Sequence, residues 1–399
     1  MGLNMMWVFL LFCFLTVNSI HGDHIGSTLT AHPVENPQGI CALFVSGKGH
    51  DCQEFMVPTE DGFLLSVQRL TNAKVLTTDK EPVFLYHGIM QGGEGWVFNE
   101  PYQSLSYMLA DSGYEVWIGN TRTTLYTFGH KTYKRSDDAF WDWTWDDLVA
   151  YDLPAMLHFV NSMTAKPILY IGFSQGAMTG FAGFTDRKLA SLVKKVVMLS
   201  PVAYLDHVTS PLSRTATALY LDKMYLALGV YEYNTTNSQN EHILDSACQT
   251  LNISIGTCYD DIINLITGPN CCLNESKIEY YNKYSSQATA SKNIGQLAQL
   301  MRSGRFCKYD YDLTGNVEKY GSPEPPSYDL SLIPVTLPFL IIHGGNDMLA
   351  DVEDVKHVVS ELPGKVEVHL MANYSHLDMI YATSAHVDAY PLVLKFLEK

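Results

Sequence analysis

A serine hydroxyl is a weak nucleophile until a sharp turn presents it and a base takes its proton. Residues 168–176 read Ile-Leu-Tyr-Ile-Gly-Phe-Ser-Gln-Gly, a short apolar strand running into Gly172-x-Ser174-x-Gly176. Small residues two before and two after a serine let a strained strand-to-helix turn pack, and the run Ala177–Phe184 is compatible with a helix. Ser174 is therefore the candidate nucleophile. Its base and the orienting carboxylate should sit past later strand ends, the acid first and the base last. The run Phe339–Ile342 leads into His343-Gly-Gly-Asn-Asp347, which puts Asp347 on a Gly-rich turn. The run Val366–Leu370 leads into Met371-Ala-Asn-Tyr-Ser-His376, which puts His376 in the place of the base. Nearby rivals have plainer roles. Asp351 and Asp354 fall at helix-start positions, His357 in the helix after Asp347, His369 within a strand and His386 in the final helix.

An acyl-transfer intermediate also needs two N–H donors aimed at its oxyanion. The backbone N–H of Gln175, next to the nucleophile, is one candidate. The loop His87-Gly-Ile-Met-Gln-Gly-Gly93 offers the other, with Ile89 the expected donor. No lysine follows its glycines, which argues against a phosphate loop.

The elements that must position these residues are legible in outline. Residues 55–70 read as a hairpin about Glu60-Asp-Gly62, and Pro82–Tyr86, Glu115–Ile118 and Val193–Leu199 as short buried strands. Ser104–Asp111 and Trp145–Val160 read as helices, the second with Asp146 and Asp147 in its first turn. Short apolar strands alternating with helices predict an α/β fold, a mostly parallel sheet covered on both faces, with ligands beyond the strands' C-terminal ends. The alternation breaks over 203–310, rich in Tyr, Asn and Cys, and resumes at Thr336–His343. The expected organisation is a signal peptide at 1–22, core at 23–202, a helical cap or lid inserted at 203–310, and core again at 311–399. The Tyr- and Leu-rich run Ala218–Leu228 would pack on the core and present an apolar face to lipid.

A formal net charge of −16 argues against nucleic-acid partners and anionic membrane surfaces. The apolar run Met5–Val17, with Ser19 and Gly22 after it, reads as a secretory signal. Secretion permits disulfides and glycans. Of eight cysteines, Cys13 lies in the signal; Cys41 and Cys52 stand apart from the rest and are expected to bridge locally. Cys248, Cys258, Cys271, Cys272 and Cys307 leave several pairings open, and the odd total leaves a thiol over. Their spacing lacks the histidines of a zinc site, so no metal is expected. Asn234, Asn252 and Asn274 head Asn-x-Ser/Thr sequons in the insertion, and Asn373 heads a fourth close to His376, where a glycan would crowd the site.

Eight stretches carry a resemblance: Thr59-Glu-Asp-Gly-Phe63, His87-Gly-Ile89, Gly119-Asn-Thr-Arg122, Phe140-Trp-Asp-Trp-Thr-Trp-Asp-Asp147, Tyr151-Asp-Leu-Pro154, Gly172-x-Ser174-Gln-Gly176, Gly344–Asp351 and His376-Leu-Asp378. In these the chain resembles the acid lipase family, α/β-hydrolase-fold lipases that include the gastric and lysosomal acid lipases, and it is most similar to their plant relatives. The resemblance covers about Cys41 to Lys399. It implies an α/β-hydrolase fold and hydrolysis of acyl esters of neutral lipids without a cofactor. It implies Ser174, Asp347 and His376 as catalytic residues, with the Ile89 and Gln175 N–H groups at the oxyanion. A neutral lipid or ester would be the substrate, with transient contact at a lipid interface. The destination would be extracellular or a vacuole or lysosome. Two positions depart from the family pattern: Phe173 stands where a histidine is usual, and Thr123 where a glycine is usual. An acyltransferase using the same site, or an esterase acting on a non-glyceride metabolite, is the alternative; a non-catalytic lipid-binding protein is a further one.

Overall fold

The computed structural model describes residues 32–75, 79–234 and 255–399. The proposed signal segment, Asn252 and Cys248 fall outside them. Nine strands form one sheet in the order β1 (Asp51–Pro58), β2 (Phe63–Thr71), β4 (Val116–Gly119), β3 (Val83–Tyr86), β6 (Ile168–Phe173), β7 (Val193–Leu199), β10 (Phe339–Gly344) and β11 (Val366–Met371), with the short β5 (Gly129–His130) paired to β2. The β1–β2 hairpin and the β2–β4 pair are antiparallel. From β4 to β11 every neighbour is parallel. Central strands read as unbroken apolar runs because both faces are buried. On β6, Ile168 and Tyr170 face one hydrophobic core. Leu169, Ile171 and Phe173 face the other.

Helices cover the sheet: α1 (Leu105–Asp111), α2 (Leu153–Thr164), α3 (Gln175–Gly183), and, after β10, α10 (Val352–Glu361) and α11 (Tyr390–Glu398). The helix expected over 145–160 is not continuous. A turn at Trp145–Asp147 passes through a π-helical turn, Leu148–Asp152, before α2 begins. Between β7 and β10 lie α4 (Pro211–Ala218), α5 (Leu221–Ala227), α6 (Ile255–Thr267), α7 (Ile278–Ser285), α8 (Ser291–Ser303) and α9 (Asp312–Tyr320). A two-residue ladder, β8 (Glu232–Tyr233) with β9 (Thr289–Ala290), joins them and was not legible in the sequence.

Asp146, expected only to favour a helix start, fastens this insertion to the core. Its carboxylate accepts hydrogen bonds from Gln296 Nε2 at 2.9 Å, Tyr309 N–H at 2.8 Å and Tyr328 O–H at 2.8 Å. Thr123 does the same from the other side, donating to Ala288 O at 3.2 Å.

Cys41 and Cys52 are bridged, as expected, and Cys271 is bridged to its neighbour Cys272. Cys307 is a buried free thiol, its pKa pushed to about 11 by burial. Asn274 caps a short turn by accepting the Ser276 N–H at 3.1 Å, and the Asn234 amide donates to Glu232 at 3.0 Å.

Arg122, beyond the end of β4, is 1% exposed and meets Asp152, at 0%, through Nε at 3.0 Å and a terminal nitrogen at 2.7 Å. Its other terminal nitrogen donates to Asp61 at 2.7 Å. Burial works against the guanidinium charge, but Asp152 and Asp61 more than offset it. Removing Asp152 leaves the buried guanidinium with Asp61 alone, a loss of about 3–5 kcal/mol. Asp152→Ala is therefore expected to lower stability by that amount in chemical denaturation; a loss below about 1 kcal/mol would refute this account of the pair.

Candidate active site

β6 ends at Phe173 and α3 starts at Gln175, so Ser174 alone makes the turn between them. Its φ of 54° is unfavourable for a residue with a Cβ, at a cost on the order of 1–3 kcal/mol. The turn closes only because its neighbours are small. A Cβ on Gly176 would overlap the Tyr86 carbonyl, and one on Gly172 would lie 2.8 Å from the Ala177 nitrogen. Tyr170 O–H donates to Gly176 O and fixes the turn from below.

The three residues expected to act together do meet. His376 Nε2 lies 2.8 Å from Ser174 Oγ. His376 Nδ1 lies 3.0 and 2.9 Å from the two oxygens of Asp347. Ser174, Asp347 and His376 are 4%, 4% and 3% exposed. A carboxylate beside Nδ1 requires the proton there, which leaves Nε2 as the acceptor of the serine hydroxyl. Burial opposes ionisation of Asp347, but His376 and the Leu349 and Ala350 N–H groups, at 2.9 and 2.8 Å, hold its carboxyl below the usual range. The Phe173 ring lies 5.1 Å from the His376 ring and gives it an apolar wall.

The rival residues are occupied elsewhere. Asp351 caps α10 through the Glu353 N–H, and Asp354 accepts from the His207 N–H and ring. His357 stacks on Tyr204, and His369 lies 3.0 Å from Glu367.

The loop after β3 runs beside the serine. A Cβ on Gly88 would lie 3.0 Å from Ser174 Cβ, and Ile89, Met90, Ser174 and Gln175 line one cavity together. Met90 has φ 56°, so this loop is held in an unfavourable shape. Three residues hold it. His87 keeps its proton on Nδ1, donating to Gly88 O at 2.8 Å, while Nε2 accepts the Thr121 N–H at 3.0 Å. Burial pushes the His87 pKa to about 4, so the ring stays neutral. Asn120 Oδ1 accepts the Gly93 N–H at 2.8 Å. Gln287, from the insertion, donates its N–H to Met90 O at 2.8 Å. The Gln175 side chain is held in turn by Asn293, at 2.7 Å.

The cavity, about 260 Å³, opens from Ser174 between α3, α4, α5 and α8. Met178, Leu205, Leu212, Leu221, Ile294 and Leu297 make most of its wall apolar.

Sequence reasoning did not single out Glu94, Gln287 or Asn293, and it met Asp378 only within the stretch His376-Leu-Asp378, without a role; partners far along the chain decide what these residues do. Only the buried setting reveals Glu94. It is 0% exposed; Oε1 accepts from Gly92 N–H at 2.9 Å and Gln287 Nε2 at 3.4 Å, while Oε2 has no partner.

The sequence profile described as "alpha/beta hydrolase fold" matches residues 81–383, and "Partial alpha/beta-hydrolase lipase region" matches residues 42–100. The chain is 39% identical to Triacylglycerol lipase 1 of Arabidopsis thaliana, over 90% of this chain and 90% of that one. It is 30% identical to Lysosomal acid lipase/cholesteryl ester hydrolase of Homo sapiens, over 96% of this chain and 97% of that one. Among solved structures, a putative lipase from Sulfolobus solfataricus superposes with a TM-score of 0.56 at 16% identity, covering 88% of this chain and 94% of that one, which bears on fold alone.

Burial pushes the Glu94 carboxyl from 4.5 to about 8, a rise that hydrogen bonds only partly oppose. Folding therefore favours the protonated form. The stabilisation is complete below the unfolded pKa and is lost as pH rises through about 8. Glu94→Gln carries no such proton. The difference in melting temperature, variant minus parent, is expected to grow between pH 5 and pH 9; a flat difference would refute the burial of an acidic group there.

Proposed function

The chain belongs to the acid lipase family of α/β hydrolases, close to its plant members, and on that premise we propose that it hydrolyses acyl esters of neutral lipids through Ser174, Asp347 and His376. It is a carboxylic ester hydrolase. The observation that carries the mechanism is the pair of contacts Ser174–His376 at 2.8 Å and His376–Asp347 at 2.9 Å, at the mouth of an apolar cavity.

His376 Nε2 takes the serine proton as Oγ attacks the ester carbonyl. Asp347 fixes the tautomer and stabilises the imidazolium that forms. The Ile89 and Gln175 N–H groups receive the charge on the carbonyl oxygen. His376 returns its proton to the departing alcohol, leaving an acyl-enzyme on Ser174. Water enters, His376 takes its proton, and the acid leaves with Ser174 restored. The apolar cavity holds the acyl chain by burying its methylenes, about 0.8 kcal/mol each. The apolar lining supports triacylglycerols or similar neutral esters as the substrates.

Residues 203–310 form the cap, between core segments 23–202 and 311–399, and α4 and α5 are the part of it that lines the cavity. Asn234, Asn252 and Asn274 are its candidate glycan sites. Delivery through the secretory pathway, to the outside or to a vacuole or lysosome, agrees with the names of the lysosomal and gastric relatives.

Ser174→Ala should abolish hydrolysis of p-nitrophenyl esters and triacylglycerols and block labelling by a fluorophosphonate probe, with the melting temperature little changed, because alanine keeps the Cβ and the backbone shape of the turn. Retained turnover would overturn the assignment. Asp347→Asn should lower kcat by about 10⁴-fold, because the tautomer is lost. A loss under about tenfold would remove Asp347 from the mechanism.

A further inference from the structure

Residues 267–273 leave the insertion and cross the two loops that carry Asp347 and His376. Thr267 O accepts the N–H of Met348 at 3.3 Å and of His376 at 3.2 Å. Gly268, at φ 98°, packs so tightly on Asn346 that a Cβ would overlap its carbonyl. Asn270 accepts a short hydrogen bond from the Ser375 hydroxyl. Cys272 O accepts the Thr383 N–H at 2.8 Å, and Leu273 pairs with Ala382.

Asp378, two residues after His376, is where this crossing converges. It is 0% exposed. It accepts the N–H groups of Ser375 at 2.8 Å, Cys271 at 3.1 Å and Cys272 at 3.2 Å. Successive N–H groups of an extended chain point opposite ways, so two of them reach one carboxylate only on a tight turn. The bond between adjacent Cys271 and Cys272 closes a small ring that keeps such a turn. Cys271 is exposed and Cys272 half-buried, so the bond can be reached from solvent.

We propose that the Cys271–Cys272 disulfide, acting through Asp378, positions His376 against Ser174 and Asp347, so that reducing this one bond slows ester hydrolysis. The inference rests on the role given to His376 above. A dithiol supplies the two electrons. One of its sulfurs attacks a cysteine sulfur, the S–S bond breaks and a mixed disulfide forms. Its second thiol then closes the reductant's own disulfide, leaving Cys271 and Cys272 as protonated thiols.

The full chain is reduced with dithiothreitol, its free thiols are alkylated and their positions are read by mass spectrometry. Hydrogen exchange in peptides covering 373–383 and turnover of a p-nitrophenyl ester are followed on the same samples. With Cys271 and Cys272 reduced, exchange at the His376 amide should rise by about tenfold or more. kcat should fall several-fold with KM little changed, and reoxidation should restore both. The double variant Cys271→Ser, Cys272→Ser should start at the lowered kcat and not respond to reductant, which separates this bond from Cys41–Cys52. Asp378→Asn should lower kcat in the same direction. Unchanged exchange with the pair reduced overturns the proposal, and so does faster exchange with kcat unchanged. If the oxidised protein hydrolyses no ester, the reading of Ser174 and His376 fails, while exchange still decides whether the disulfide holds the His376 loop.

Discussion

The approach of α3 to the end of β3 is the constraint on which the rest depends. Gly176 lies so close to the Tyr86 carbonyl that no side chain fits between them. That contact lets one residue, Ser174, turn the chain from strand to helix with its hydroxyl outward. It also fixes where the loop after β3 must run, and so where Ile89 lies relative to the serine. A Cβ on Gly88 would meet Ser174, so the two turns are fitted to each other. The unfavourable φ values of Ser174 and Met90 persist because packing around them leaves no alternative.

The polar groups behind the site form a second layer with its own logic. His87, Asn120, Glu94 and Gln287 are all buried, and their partners are mostly backbone groups of the loops they hold. Gln287 and Asn293 come from the insertion between β7 and β10, so that insertion contributes to holding the site. Asp146 and Thr123 anchor the same insertion from the core.

What was legible in the sequence followed from local chemistry. Short runs rich in apolar residues and bounded by turn residues gave the strands β3, β4, β6, β7, β10 and β11, and the residues just past β6, β10 and β11 gave Ser174, Asp347 and His376. The reason is physical: a parallel sheet aligns its strand ends, so position along a strand carries information about position in space. The break in the helix at 148–152 was not legible, because nothing in Leu-Val-Ala-Tyr-Asp forbids a regular helix; burial of Asp152 against Arg122 accompanies it. The pairing of Cys271 with Cys272 and the docking role of Asp146 depend on which distant segments arrive beside them. Phe173 was visible as a departure from the family pattern, but its contact with His376 became visible only once β6 and the loop after β11 stood side by side.

Ser174 and His376 are separated by 202 positions in sequence. The base hangs on β11, which pairs to the sheet only through β10, and its loop is held by residues that follow α6. Ser174 therefore stands on a strand made early in the chain, while His376 is brought to it only when β11 pairs with β10. On the mechanism proposed above, the topology ties ester cleavage to completion of the sheet, so a chain stopped short of β11 would carry the hydroxyl without its base.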